Sequence, residues 1–189
     1  MSDPYLYPGT NTLINRMDIK DPAKLQDLEA AIYRLKIGGL LPSGHFNYDH
    51  LKKIHHYLFG ELYPWAGEER TVDISKSGSH FARYEFINRE INKIFKQLNQ
   101  EDNLLGLDKS SFCERLSYYF NEINASHPFR EGNGRSLRAF CDLLAEKAGF
   151  DLDWSKVTRD TFIEANLAGF NGNEKPMEAI FRHISSPPR

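Results

Sequence analysis

Between residues 25 and 35 the apolar positions Leu25, Leu28, Ile32 and Leu35 recur at steps of three and four, which is one face of a helix. Asp21-Pro22 supplies its start, an N-cap acid followed by proline at the first helical position, and Gly38-Gly39 stops it. The same period returns in Leu51, Ile54, Leu58 and Leu62, after a capping Asn47, and in Ile87, Ile91, Ile94 and Leu98. Asp108 caps a further helix carrying Phe112, Leu116, Phe120 and Ile123. Leu137, Phe140, Cys141 and Leu144 share the next face, which ends near Gly149. Segments 162–167 and 177–184 complete the helices. One stretch breaks the pattern. In RTVDISKSGSHFA (70–82), Val72 and Ile74 alternate with polar residues, Ser77-Gly78 can turn, and Phe81 follows, so a β-hairpin is expected there. The pattern predicts an all-α fold with one protruding β-hairpin. Residues 1–20 read as an irregular arm whose Tyr5, Leu6, Tyr7, Leu13 and Ile14 dock on the body, and SSPPR (185–189) reads as a loose tail. No repeat, low-complexity segment or linker divides residues 1–189, so a single domain is expected.

Composition narrows the class. With 40% hydrophobic and 26% charged residues the chain can bury a real core, and its 13 Phe, 9 Tyr and 2 Trp make that core aromatic. A formal net charge of -2 argues against a general nucleic-acid binder but leaves room for a local basic pocket. Cys113 and Cys141 are isolated thiols on predicted helices, without a CxxC zinc pattern, and read as reduced core residues. Neither a signal peptide nor an apolar run near 18 residues is found, so a cytoplasmic location without membrane contact is expected. Export by a specialised secretion system is the alternative.

The candidate chemistry lies in HPFREGNGRSLR (127–138), between two predicted helices. Gly132 and Gly134 permit a backbone that turns several N–H groups to one side, and a helix starting there adds the positive end of its dipole. Arg135 and Arg138 are neighbours on that helix. Two arginines plus backbone donors describe a cradle for a polyphosphate better than for a single carboxylate. Glu131 makes sense there if magnesium lies between it and the phosphates, and Asn133 can orient another phosphate oxygen. His127 is the nearby group able to exchange a proton near neutral pH, as a base for an attacking hydroxyl. The bland alternatives are a helix-capping histidine and a solvated Glu–Arg pair. The run is neither a Walker P-loop nor a HExxH zinc helix.

This run matches the Fic family signature, HxFx[DE]GNGRxxR, at every defined position. YLYPGTNTLINRM (5–17) resembles the amino-terminal arm of small bacterial Fic toxins, and LFGELYPWAGEER (58–70) resembles the segment leading into the family's hairpin, the flap. The resemblance implies a compact α-helical Fic core that transfers AMP from ATP to a hydroxyl side chain of a target protein. It implies that His127 is the general base, that Phe129 anchors the loop, and that Glu131 holds Mg2+. Gly132, Asn133 and Gly134 would form the anion nest, Arg135 would meet the β/γ side of the triphosphate and Arg138 the γ-phosphate. The flap, here Val72, Asp73, Ile74, Ser75, Lys76, Ser77, Gly78, Ser79, His80 and Phe81, would hold the target by strand addition. His80 reads as a flap surface residue, and His55 and His56 as residues that pack or face water. Asn171 and Gly172, in FNGNE (170–174), would help enclose the adenine.

Many Fic proteins carry an inhibitory helix, [ST]xxxE[GN], whose glutamate pairs with the second signature arginine. The one glutamate followed by Gly or Asn here is Glu131, inside the active loop, so the motif is missing from this sequence. With Arg138 intact, inhibition in trans by a small antitoxin bearing that motif is expected. Three rival readings stay open. They are a related transferase of the Doc type (whose loop has lysine at the place of Gly134) or one using another nucleotide, the Fic domain of a secreted host-modifying effector, and a non-catalytic nucleotide-binding module.

Overall fold

The structure is a computed structural model and describes residues 3–76 and 79–188. Its helices begin where the sequence supplies caps. Asp21 accepts from the N–H groups of Ala23 and Lys24 at the head of α1 (Pro22–Ile37), and Asn47 accepts from His50 at the head of α2 (Tyr48–Phe59). Asp108 does the same for α4 (Lys109–Ser126), with Ser110 and Ser111 donating. Helix α3 (Ile87–Gln100) has no side-chain cap and enters instead through a 3-10 turn, Tyr84–Phe86. Helix α5 (Asn133–Ala148) stops at Gly149, and Thr158 caps α6 (Arg159–Phe170). Helix α7 (Lys175–Ile184) carries proline in its first turn.

Helix α4 is the centre of the fold and packs against α3, α5, α6 and α7. Its Phe112, Leu116 and Phe120 are fully buried, and Phe140 of α5 meets Phe46 and Phe95 edge-on at 5.7 and 5.5 Å. Both cysteines are buried and free, as core thiols. Helix α1 departs from its pattern. Only Leu25 is fully buried in it, Leu28 and Ile32 are half-buried, and Leu35 is 76% exposed.

Strands β1 (Ser75–Lys76) and β2 (Ser79–His80) form the expected antiparallel hairpin, with Ser75 opposite His80 and Lys76 opposite Ser79. The expected turn at Ser77-Gly78 lies outside the described residues. The tail differs from the expectation of a loose end. Ser185–Ser186 (β4) pairs antiparallel with Asp151–Leu152 (β3), Ser185 is buried, and its carbonyl accepts from Lys109 Nζ at 2.7 Å. Polarity alone hid this, because a two-residue pairing needs no apolar alternation. The arm docks through more than its apolar residues. Leu6 bridges to Leu13, the Arg16 N–H donates to the Leu62 carbonyl at 2.8 Å, and the Tyr5 ring meets Trp65 edge-on at 5.6 Å. No helix among the described residues is long and apolar enough to cross a membrane.

Candidate active site

Residues 127–132 join α4 to α5 in a loop with a left-handed residue at each end. His127 caps α4 at φ 43, ψ 62, and Gly132 precedes α5 at φ 80, ψ 3. For a residue with a Cβ this region costs about 1–2 kcal/mol, so the surroundings must hold His127 there. Its Nδ1 lies 3.1 Å from the Asn124 carbonyl. A carbonyl only accepts, so the neutral imidazole carries its proton on Nδ1 and keeps the lone pair on Nε2. The Phe81 ring, from the end of the flap, stacks on the imidazole at 3.7 Å.

The loop is closed by one amide. Asn133 Nδ2 donates to the Phe129 carbonyl at 2.7 Å, and its Oδ1 accepts from the Phe129 N–H at 2.8 Å. The Asn133 side chain is buried and clasps the loop through these two bonds, and the residue also lines the cavity. No side chain caps α5, so its first N–H groups have no partner within the helix and face the cavity beside Gly132 and Gly134.

Sequence reasoning did not find what supports this loop from below. His55 of α2 is fully buried. The Gly67 N–H donates to its Nδ1 at 2.8 Å, which leaves Nε2–H to donate to the Glu131 carbonyl at 2.9 Å. Its ring stacks on Phe129 at 3.8 Å. Burial pushes the His55 imidazole down from 6.5 to about 3, against the opposing pull of the Glu131 carbonyl. The unfolded chain therefore takes up this proton first as pH falls below about 6.5, and the folded chain does not until about 3. Stability is full above the upper value and is lost on acidification through this window, by up to about 1.4 kcal/mol per pH unit. Melting temperature is expected to fall between about pH 7 and pH 5, and His55→Gln to flatten that slope; an unchanged slope in the variant would point to another group. Arg70, also buried, was equally illegible.

The signature arginines sit at different depths. Arg135 meets the Glu29 carboxylate of α1 at 2.5 Å and lies 4.6 Å from the centre of the Phe59 ring. The Tyr63 hydroxyl donates to the other oxygen of Glu29. Arg138 lies over the Trp154 and Phe162 rings at 5.7 and 5.4 Å, and among the described residues its Nε is buried without a hydrogen-bond partner. Burial pushes the nearby Asp142 carboxyl up to about 6, against the Trp154 indole N–H that donates to it at 2.6 Å and against Arg138. That bond fixes the Trp154 ring.

A cavity of about 750 Å3 joins these parts. That volume is in the range of small-molecule and cofactor sites. Its lining combines His127, Glu131, Gly132, Asn133, Gly134, Arg135 and Arg138 with the apolar Trp154, Phe162, Leu167 and Phe170 and the polar Thr158, Arg159 and Asn166. Of the expected adenine residues, Asn171 and Gly172 lie exposed just past α6 and outside this lining; the ring-bearing side of α6 lines it instead. The flap rises beside His127. Phe81 lines the cavity, Val72 and Ile74 are half-buried, and Asp73 and Ser75 are exposed.

The Fic/DOC family model matches residues 45–145. Protein adenylyltransferase VbhT of Bartonella schoenbuchensis is 45% identical over 96% of this chain, which spans 38% of that protein's length. The probable protein adenylyltransferase y4lH of Sinorhizobium fredii is 36% identical over 97% of this chain and 96% of its own. Among solved structures, BepC of Bartonella tribocorum with bound AMPPNP superposes at a TM-score of 0.92, with 32% identity over 98% of this chain and 97% of that one.

Proposed function

Because the chain belongs to the Fic/DOC family, we propose that it is a protein adenylyltransferase that moves AMP from ATP to a hydroxyl side chain of a target protein. The observation that carries this is a single cavity whose lining combines a candidate base, an anion cradle and aromatic rings. Adenine lies against Trp154, Phe162 and Phe170. The triphosphate lies over Gly132 and Gly134 at the start of α5, with Arg135 and Arg138 as its charged contacts. His127 Nε2 takes the proton of the incoming hydroxyl, the oxygen attacks the α-phosphorus, and pyrophosphate leaves. The protein's task is positioning and charge stabilisation, which a cavity built on two helix ends can supply.

The donor set fits magnesium. Glu131 presents a half-exposed carboxylate at the cavity wall, with one oxygen accepting from the Gly132 N–H at 2.8 Å, and among the described residues no group of three or more His, Cys, Asp or Glu forms a cage. One carboxylate plus phosphate oxygens and water is the usual magnesium arrangement; held by Glu131, the ion would supply neutralisation of phosphate charge. The flap holds an extended stretch of the target through main-chain bonds, which requires an open strand edge and little side-chain specificity. A small protein carrying [ST]xxxE[GN] inhibits in trans, its glutamate meeting the Arg138 guanidinium, whose Nε has no hydrogen-bond partner among the described residues. The chain works in a bacterial cytoplasm on this reading, and delivery into a host cell is the alternative.

The test uses ATP labelled on the α- or the γ-phosphate, with magnesium and a bacterial lysate as the source of target. Protein-bound label from the α-position only is expected. Label from the γ-position only would establish phosphorylation in its place, and binding of ATP with no labelled protein in bacterial or eukaryotic lysates would favour a non-catalytic module.

A further inference from the structure

Arg70 lies at the foot of the flap with a side chain that is 0% exposed. Its Nε donates to the His127 carbonyl at 2.8 Å. One terminal nitrogen donates to the Val72 carbonyl at 2.7 Å, and the other to the carbonyls of Ala82 at 2.5 Å and Ser126 at 3.3 Å. The Arg70 N–H adds a bond to the Pro128 carbonyl at 2.8 Å. One planar guanidinium therefore ties both roots of the hairpin, Val72 before it and Ala82 after it, to the main chain on each side of the catalytic imidazole. A salt bridge would leave most of its five donors unused; this arrangement spends them on backbone, which a lysine ammonium cannot copy. Asp73 completes the assembly. Its carboxylate approaches the guanidinium at 3.9 Å and accepts from the Tyr84 N–H at 2.9 Å, so it also spans the two roots.

We infer that Arg70 is a positioning residue for adenylyl transfer, holding the flap and His127 in one fixed relation. The inference rests on the adenylyltransferase reading for its consequence and on the geometry above for its content. Phe81 precedes the gripped Ala82 and stacks on the His127 ring, so a shift of the flap root is felt at the imidazole. Arg70 is absent from the cavity lining, so nucleotide binding does not depend on it directly.

The experiment compares the full chain with Arg70→Lys, and with the exposed Asp73→Asn in case the buried substitution fails to fold. Two readings are taken. The first is α-label transfer to bacterial lysate protein, beside ADP affinity by calorimetry. The second, free of turnover, is the His127 ring proton signal in NMR, identified by its loss in His127→Ala and displaced in the wild type by the stacked Phe81 ring. In Arg70→Lys, kcat is expected to fall about 10- to 100-fold, as for a misplacement of about 1 Å, with KM for ATP and ADP affinity within about twofold. The His127 signal is expected to move toward its unstacked position. Asp73→Asn is expected to do the same more weakly, with about a threefold fall in rate. An unmoved His127 signal in the folded variants overturns the inference, and so does an ADP affinity that falls in step with the rate. A wild-type chain that transfers no label counts against the adenylyltransferase reading, and the NMR signal still decides the role of Arg70.

Discussion

Replacing His127 with alanine is expected to lower α-label transfer by roughly 100- to 10,000-fold and to leave ADP affinity within about twofold. The size follows from what the imidazole does. On the adenylyltransferase reading the Asn124 carbonyl holds the proton on Nδ1, which makes Nε2 the nitrogen that would act as the base. The selectivity follows from where it sits. His127 ends α4, whereas the anion cradle is built on α5 and on Gly132, so the side chain can be removed without touching the donors that hold phosphate. Initial rates beside calorimetric ADP titrations check both halves. A variant that keeps a rate near the wild type would move the role of base elsewhere, and one that also loses ADP would show that His127 supports the cradle.

Gly132→Ala is expected to be a damaging change of a single methyl. Gly132 holds φ 80, and a Cβ there would come within 2.5 Å of the Phe59 ring. That ring cannot yield easily. It is 2% exposed, stacked on Tyr33, tilted against His55 at 5.0 Å, and covered by the Arg135 guanidinium. Backbone strain of about 1–2 kcal/mol and overpacking of about 1–3 kcal/mol add to a loss of roughly 2–5 kcal/mol. For a chain of this size, at about 2–4 °C per kcal/mol, the melting temperature falls by roughly 4–20 °C. Because the same residue orients the first N–H groups of α5, ADP affinity should fall as well, by tenfold or more, about 1.4 kcal/mol. Gly134→Ala is the matched control for folding: a Cβ there meets nothing within 4 Å, so the melting temperature should hold. Equal melting temperatures for the two variants would show that Phe59 gives way.

The contrast between these residues shows what the sequence exposes. His127, Glu131, Arg135 and Arg138 were legible because a short run combined groups that no core wants. The helix starts at Asp21, Asn47 and Asp108 were legible because capping is local chemistry. His55, Arg70 and Glu29 were not. Each acts on the site across 76, 57 and 106 residues of chain, and nothing in the neighbourhood of a buried histidine or an ordinary arginine announces its distant partner. Asn133 was legible as a member of the signature, but its clasp on Phe129 was not, since a polar side chain beside a phosphate cradle can serve the loop as readily as the ligand. The tail failed for another reason. A two-residue strand carries too short a pattern to separate from coil.

The clasp between Asn133 and Phe129 has a thermodynamic consequence. A loop pinned by two opposed hydrogen bonds, with left-handed residues at both ends and His55 beneath it, has already surrendered its conformational freedom during folding. On the adenylyltransferase reading a nucleotide would then meet a surface that does not have to order itself, and the entropy of arranging donors would not be subtracted from affinity. Encounter need not wait for a rare open or closed form of the loop, so the association rate is set by diffusion and by charge rather than by a conformational step.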